Sequence, residues 1–269
     1  MQWRIAFRFM SPVVQLERDP QKGIAIIRLD RGKVNAINEP MLEELTSICN
    51  SLAEDREIRA AVLTGGPRHF AAGADIERFP TFDRDDALAF SRRFNDTALG
   101  IEGLPQITIS AINGYALGGG LELALATDFR VAAGDAQLGN PEVLLGIIPG
   151  GGATQRLARL AGVTMAKDLV YSGRAIGAEE ALANNLISAI FEPDEVQAEA
   201  VKMAEGYAAG PASLQLAKAA VLSGYHLPLD EAVKIESELF ADAFNTEDCA
   251  IGVQSFLQNG PGKASFTGR

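Results

Sequence analysis

The sequence predicts an α/β fold. Three observations carry that prediction. Short β-rich runs alternate with helix-like runs, glycine-containing turns separate them, and the pattern becomes mostly helical after Ala153. The 269-residue chain is long enough for one large domain, or a domain with an appended helical segment, and 47% of it is apolar, ample for a sizeable core.

The elements follow in order. Val13–Glu17 and Ile24–Leu29 read as strands joined by Asp19-Pro20-Gln21-Lys22-Gly23, which is good hairpin-turn chemistry. Asn38 offers a helix N-cap with Pro40 tolerated in the first turn. Met41, Leu42, Leu45, Ile48, Cys49 and Leu52 then repeat with helical period. Ala60–Leu63 reads as a buried strand, the stretch from Asp85 to Leu99 as a charged helix, and Ile107–Ile112 as another β-rich run closed by Asn113-Gly114. Gly118 to Gly120 open a helix-like LELALA, and Phe129–Ala132 is a further strand. Late in the chain, Leu229, Ala232, Val233, Phe240 and Phe244 form the stripe of one helix. No internal repeat is visible.

Charge and composition exclude several functions. With 24 Lys and Arg against 35 Asp and Glu the net charge is −11, and a field of that sign disfavours a general nucleic-acid or anionic-membrane surface. No apolar run approaches the ~18 residues of a membrane-spanning helix. The opening MQWRIAFRFM lacks the apolar core and cleavage site of a signal peptide, so residues 1–10 are expected to be a disordered extension and the location cytoplasmic. Cys49 and Cys249 read as free thiols. His69 and His226 complete no cluster with metal-ligand spacing, so no metal site is expected.

Three segments can carry chemistry. Phe70-Ala71-Ala72-Gly73-Ala74-Asp75-Ile76 lets a backbone turn sharply and present N–H groups to an oxyanion, although it also reads as a plain strand-to-helix connection. Asn113 to Leu123 places three glycines ahead of a helix, where uncovered first-turn N–H groups and the helix dipole favour developing negative charge. Glu122 lies in that first turn. No Gly-Lys-Ser/Thr follows, which weakens a phosphate-loop reading. In the third segment, Gly139 to Gly152, Glu142 is the only charge between Asp135 and Arg156. It reads as a helix-start residue after Pro141 or, if buried, as a proton-transfer group of raised pKa. Two carboxylates beside glycine-rich turns could share a water while two backbone donors hold an oxygen beside a forming carbanion.

FAAGADI at Phe70–Ile76, NGYALGGGLELALATD at Asn113–Asp128 and NPEVLLGIIPGGGATQRLARLAG at Asn140–Gly162 together resemble the signature of the crotonase superfamily. The order and separations match, and the resemblance covers roughly Val13 to Arg269. It implies a spiral of ββα units over residues 11–205, and a C-terminal helical region over 206–269 that makes a homotrimer or a hexamer built as a dimer of trimers. It further implies an enoyl-CoA hydratase of fatty-acid β-oxidation, with Ala74 and Gly119 N–H groups as the oxyanion hole, Glu122 and Glu142 as the two acids and Gly150 N–H orienting the water. Retention of both acids favours hydratase over the alternatives, an enoyl-CoA isomerase or a non-catalytic binding protein on the same fold. CoA arrives as part of the acyl-CoA substrate, so no separate cofactor is implied. Lys33, Val34, Ala36, Ala72, Asp75, Ile76 and Lys263 are the implied CoA contacts, Lys263 reaching from a neighbouring subunit. Phe79 and Phe82 read either as lining of the acyl pocket or as ordinary core packing, with core packing preferred; His69 reads as a loop residue, and the TQRLARLAG segment as a capping and packing element.

Overall fold

A computed structural model describes residues 12–269; the expectation for residues 1–10 lies outside the described residues. The chain opens with the expected hairpin, β1 (Val14–Asp19) and β2 (Ile24–Leu29), paired antiparallel from Val14 against Leu29 to Asp19 against Ile24. Its turn closes through Gly23, whose φ of 68° suits a residue without a side chain. Helix α1 (Glu39–Ala53) starts where Asn38 caps it, the side-chain oxygen accepting from Met41 N–H at 3.1 Å. Its buried stripe holds Met41, Leu42, Leu45, Cys49 and Leu52. Burial pushes the Cys49 thiol up to about 11, and both cysteines are free.

Next come β3 (Ala60–Thr64), β4 (Ala71–Ala72), a 3-10 helix (Ile76–Thr81) and α2 (Arg84–Glu102). Asp83 and Asp86 form a reciprocal capping box at the start of α2. The same succession of strand, strand and helix then recurs as β5 (Ile107–Ile112), β6 (Tyr115–Leu117) and α3 (Gly119–Leu125). A third round has β7 (Phe129–Ala133), β8 (Gln137–Gly139), a second 3-10 helix (Pro141–Leu145) and α4 (Ala153–Leu160). Helix α5 (Gly162–Ser172), β9 (Ala175–Gly177), α6 (Ala178–Ala183) and β10 (Ala189–Phe191) complete the strands. Helices α7 (Val196–Ala208), α8 (Ser213–Gly224), α9 (Leu229–Ala243) and α10 (Glu247–Asn259) follow, and residues 260–269 trail α10 without helix or strand.

Each round contributes its first strand to one sheet and its second to another. The larger sheet has six strands in the order β1-β2-β3-β5-β7-β10, parallel from β2 onward. The smaller has the order β4-β6-β8-β9, with only β8 and β9 antiparallel. This is the expected ββα spiral. Every residue of β3 and β5 is buried, as befits parallel strands covered on both faces. Helix α7 lies across β3 and β5 and runs three residues past the expected boundary at 205. Helix α3 packs on β4 and β6, so the short strands of the small sheet fix where its first turn begins.

A buried polar clasp joins the helical end to the sheet. Lys218 of α8, its side chain only 6% exposed, donates to Asp128 at 2.7 Å and to the Gln106 carbonyl at 2.8 Å. Asp128 also accepts from Thr108 N–H and hydroxyl at 2.7 and 2.9 Å, which satisfies a charge that would otherwise be costly to bury.

Candidate active site

The end of β4 and the starts of α3 and α4 converge on one cavity of about 910 Å³. Among the predicted residues, Ala74, Gly119, Glu122, Glu142 and Gly150 all line it, as do Val34, Ala36, Ala72, Asp75 and Ile76. Lys33 and Lys263 do not; both are exposed and stand away from its lining. A second cavity of about 900 Å³, bordered by Arg56, Arg59 and Arg269, contains none of the predicted residues.

Local backbone geometry explains how the donors come to face the cavity. Ile37 N–H donates to Gly73 O and Asp75 N–H to Ile37 O, at 2.9 and 2.7 Å. This bridge consumes the groups on either side of Ala74 and leaves its own N–H without an acceptor among the described residues. Gly118 adopts φ 51° and ψ −124°, a conformation effectively reserved for glycine, and its N–H is bound to Gly139 O at 2.8 Å. The chain thereby turns straight into α3, and Gly119 N–H falls among the first-turn donors that no helical carbonyl can reach. A Cβ on Gly119 would stand 3.0 Å from the Phe94 ring and 3.2 Å from Ile37, and one on Gly118 would stand 3.0 Å from Glu142 Oε1. Both glycines hold backbone against its neighbours.

The two carboxylates differ in setting. Glu122 is 3% exposed, and its Oε1 accepts from Gly151 N–H at 2.7 Å and Ala153 N–H at 3.0 Å. Burial pushes its carboxyl up to about 7; Glu142 adds to the rise, while the two N–H groups and Arg156 oppose it. Glu142 sits in the first turn of the second 3-10 helix, directly after Pro141, so the helix-start reading holds together with partial burial. Burial raises its carboxyl too, against an opposing contact from Asn140 Nδ2 at 3.4 Å. Its Oε2 is buried without a protein partner among the described residues, an unusual state for a carboxylate oxygen.

Several contributors escaped sequence reasoning. Phe79 and Phe82 take the less favoured of their two readings: both line the cavity rather than the core, with Phe90 and Phe94 beside them at ring-centroid separations of 5.4–6.3 Å. The 3-10 helix carrying Phe79 has no buried residue, so the Phe79 ring packs on Phe82, on Phe90 and on the cavity. Arg156 does more than pack. Its guanidinium pairs with Glu102 at 2.7 Å and reaches Gly151 O at 3.3 Å, beside Glu122. Gly150 presents its carbonyl to Ser91 and Asn95, and the N–H groups that hold Glu122 are those of Gly151 and Ala153. The signal for Ser91 and Asn95 was their four-residue spacing on the face of α2 that bears Phe90 and Phe94. His69 stacks on Tyr115 at 4.6 Å and accepts from its N–H at 3.3 Å, away from the cavity lining.

The spiral of ββα units and this cavity define a protein of the crotonase fold. A family model described as enoyl-CoA hydratase/isomerase matches residues 19–269, and the chain belongs to that family. It is 37% identical to a short-chain-enoyl-CoA hydratase of Clostridium acetobutylicum, over 87% of this chain and 91% of that protein. It is likewise 37% identical to a crotonyl-CoA hydratase of Syntrophomonas wolfei, over 92% and 96% of the two chains. The solved structure of an enoyl-CoA hydratase from Bacillus anthracis superposes with a TM-score of 0.89 at 35% identity, covering 96% of this chain and all of that one.

Proposed function

We propose that the protein is an enoyl-CoA hydratase that adds water syn across the 2,3 double bond of a trans-2-enoyl-CoA to give a 3-hydroxyacyl-CoA. The observation that carries this reading is one cavity holding both Glu122 and Glu142, with raised carboxyls, together with the N–H groups of Ala74 and Gly119. The thioester oxygen lies against Ala74 and Gly119 N–H, which drain charge from the conjugated system and stabilise the enolate-like transition state. Glu122, its Oε1 tethered by Gly151 and Ala153, uses Oε2 to take a proton from water as the oxygen bonds to C3. Glu142 gives its proton to C2, and transfer of the proton from Glu122 to Glu142 resets the pair. Gly150 N–H orients the water.

Val34, Ala36, Ala72, Asp75 and Ile76 form the rim along which the CoA moiety runs. Lys33 and Lys263 are exposed and reach its phosphates only from outside the cavity, Lys263 from a neighbouring subunit. Assembly as a homotrimer, or a hexamer of two trimers, would cover Leu229 and Phe240 of α9, Phe244 at its C-cap, and Phe256 and Leu257 of α10, all of them exposed in the single chain. The chain supplies both acid–base groups and both donors, so the reaction needs no group beyond the CoA of its substrate. Fatty-acid β-oxidation in the cytoplasm is the proposed setting. Two free cysteines favour a reducing compartment, and no helix among the described residues is long and apolar enough to cross a membrane.

Product mass tests the reaction. Incubation with crotonyl-CoA should yield a product heavier by one water. An unchanged mass there, with conversion of a 3-enoyl-CoA to its 2-enoyl isomer, would assign the protein to the isomerases instead.

A further inference from the structure

We propose that Ser91 and Asn95 of α2 are positioning residues that aim the Gly151 N–H and thereby set the orientation of the Glu122 carboxylate. The Gly150 carbonyl accepts from Ser91 Oγ and from Asn95 Nδ2, each at 2.7 Å, so both of its lone pairs are engaged by one helix face. Asn95 Nδ2 also donates to Ser91 O at 2.8 Å, which holds the amide in register with its own helix. A trans peptide is planar, with its C=O and N–H pointing in opposite directions. Fixing the Gly150 carbonyl therefore fixes the Gly151 N–H, and that N–H donates to Glu122 Oε1 at 2.7 Å.

The loop needs an outside anchor because Gly150, Gly151 and Gly152 impose little conformational preference of their own. A side chain could not supply the stiffness. A Cβ on Gly151 would lie 2.3 Å from the Phe94 ring and 2.7 Å from Glu122 Oε2. The device thus combines bare backbone at the carboxylate with a polar clamp on the far side of the same peptide. It links α2, whose Phe90 and Phe94 line the cavity, to the group that activates water.

The expected consequence has a definite sign. An N–H donated to a carboxylate favours its charged form, so a loosened Gly151 N–H raises the Glu122 titration midpoint. The other charged groups facing Glu122 are Glu142 from the second 3-10 helix, which raises it, and Arg156 from α4, which lowers it. Glu102 of α2 pairs with that arginine. Ser91 and Asn95 hydrogen-bond none of them; Asn95 Oδ1 shares the gap at Gly152 with the Arg156 guanidinium, so Ser91→Ala is the cleaner of the two probes.

In its kinetic form the proposal rests on the hydratase reading, so two readouts are paired. One is the carbon-13 NMR titration of the Glu122 carboxyl in protein labelled at glutamate, with the resonance assigned by its loss in Glu122→Gln. The other is the pH dependence of kcat and KM for crotonyl-CoA hydration. Ser91→Ala and Asn95→Ala should each raise the midpoint by about half a unit to one unit. Each should also move the acid limb of kcat upward and lower kcat about five- to tenfold, with KM within about twofold. Ser91→Thr, which keeps the hydroxyl, should restore the wild-type midpoint. Unmoved midpoints in both alanine variants, even with a lowered melting temperature, overturn the proposal. Should Asn95→Ala not fold, Ser91→Ala alone decides. Shifted midpoints in a protein that hydrates nothing would uphold the positioning role and reject the hydratase reading.

Discussion

Glu122 is held by opposed influences, and their balance can be measured. Burial raises its carboxyl to about 7 from an ordinary 4.5, despite two N–H donors. The folded protein therefore keeps a proton that the unfolded chain has released between about pH 4.5 and 7. Stability contributed by this residue falls as pH rises through that window and levels off above it. Melting temperatures of wild type and Glu122→Gln should accordingly diverge across the window, wild type losing ground as pH rises; parallel curves would contradict the raised midpoint. For turnover, Glu122→Gln and Glu142→Gln should each lower kcat by about 10²–10⁴-fold, the usual span for loss of a general acid or base. Full activity in either variant would sink the assigned roles. Both glutamates stood out in the sequence because each lies beside a glycine-rich turn and Glu142 is the lone charge in a long apolar stretch. Pattern alone also left each a plain helix-start reading, and only the family resemblance assigned them as the paired acids. Their protein partners were not legible. The N–H groups of Gly151 and Ala153 reach Glu122 from about thirty residues away, across a fold that residue types do not encode locally.

At the scale of elements, capping and periodicity were readable where the element is long. The Asn38 cap, the α1 stripe and the β5 run from Ile107 to Ile112 lie where the sequence puts them. The small sheet was hidden. Its strands Ala71–Ala72, Tyr115–Leu117 and Gln137–Gly139 are too short for a period-two pattern. That brevity also explains why a fold built of repeated ββα units shows no repeat in its sequence. Between the two readings of the aromatic wall the sequence favoured the wrong one, core packing: Phe79 lies in a 3-10 helix with no buried residue and Phe82 caps its end, where composition resembles core but position does not. Phe82→Ala should open this wall. Longer enoyl-CoA substrates should then gain on crotonyl-CoA by about tenfold in kcat/KM. An unchanged preference across a chain-length series would place the acyl group elsewhere in the cavity.

At the scale of the whole molecule, the α/β core was legible from alternation, whereas the attachment of the helical end was not. Lys218 reads as one more lysine in a helix, yet it is buried and bound to Asp128 and the Gln106 carbonyl. Lys218→Met leaves a partly buried Asp128 without its cation and should cost about 3–5 kcal/mol, read from the denaturant midpoint and slope. A loss below about 1 kcal/mol would show that the clasp is dispensable. The apolar residues exposed on α9 and α10 predict self-association, and the proposed trimer predicts a molar mass in solution of three chains or a multiple of three by light scattering; a monomer would leave those faces unexplained and a dimer would contradict the trimer. Water addition itself is tested most directly in oxygen-18 water with crotonyl-CoA, following the product by mass spectrometry. Hydration at C3 predicts a 3-hydroxybutyryl-CoA carrying one heavy oxygen on the acyl chain, formed by wild type and not by Glu122→Gln at a comparable rate. Recovery of unlabelled acyl-CoA, with its double bond retained or moved, would contradict the hydratase reading.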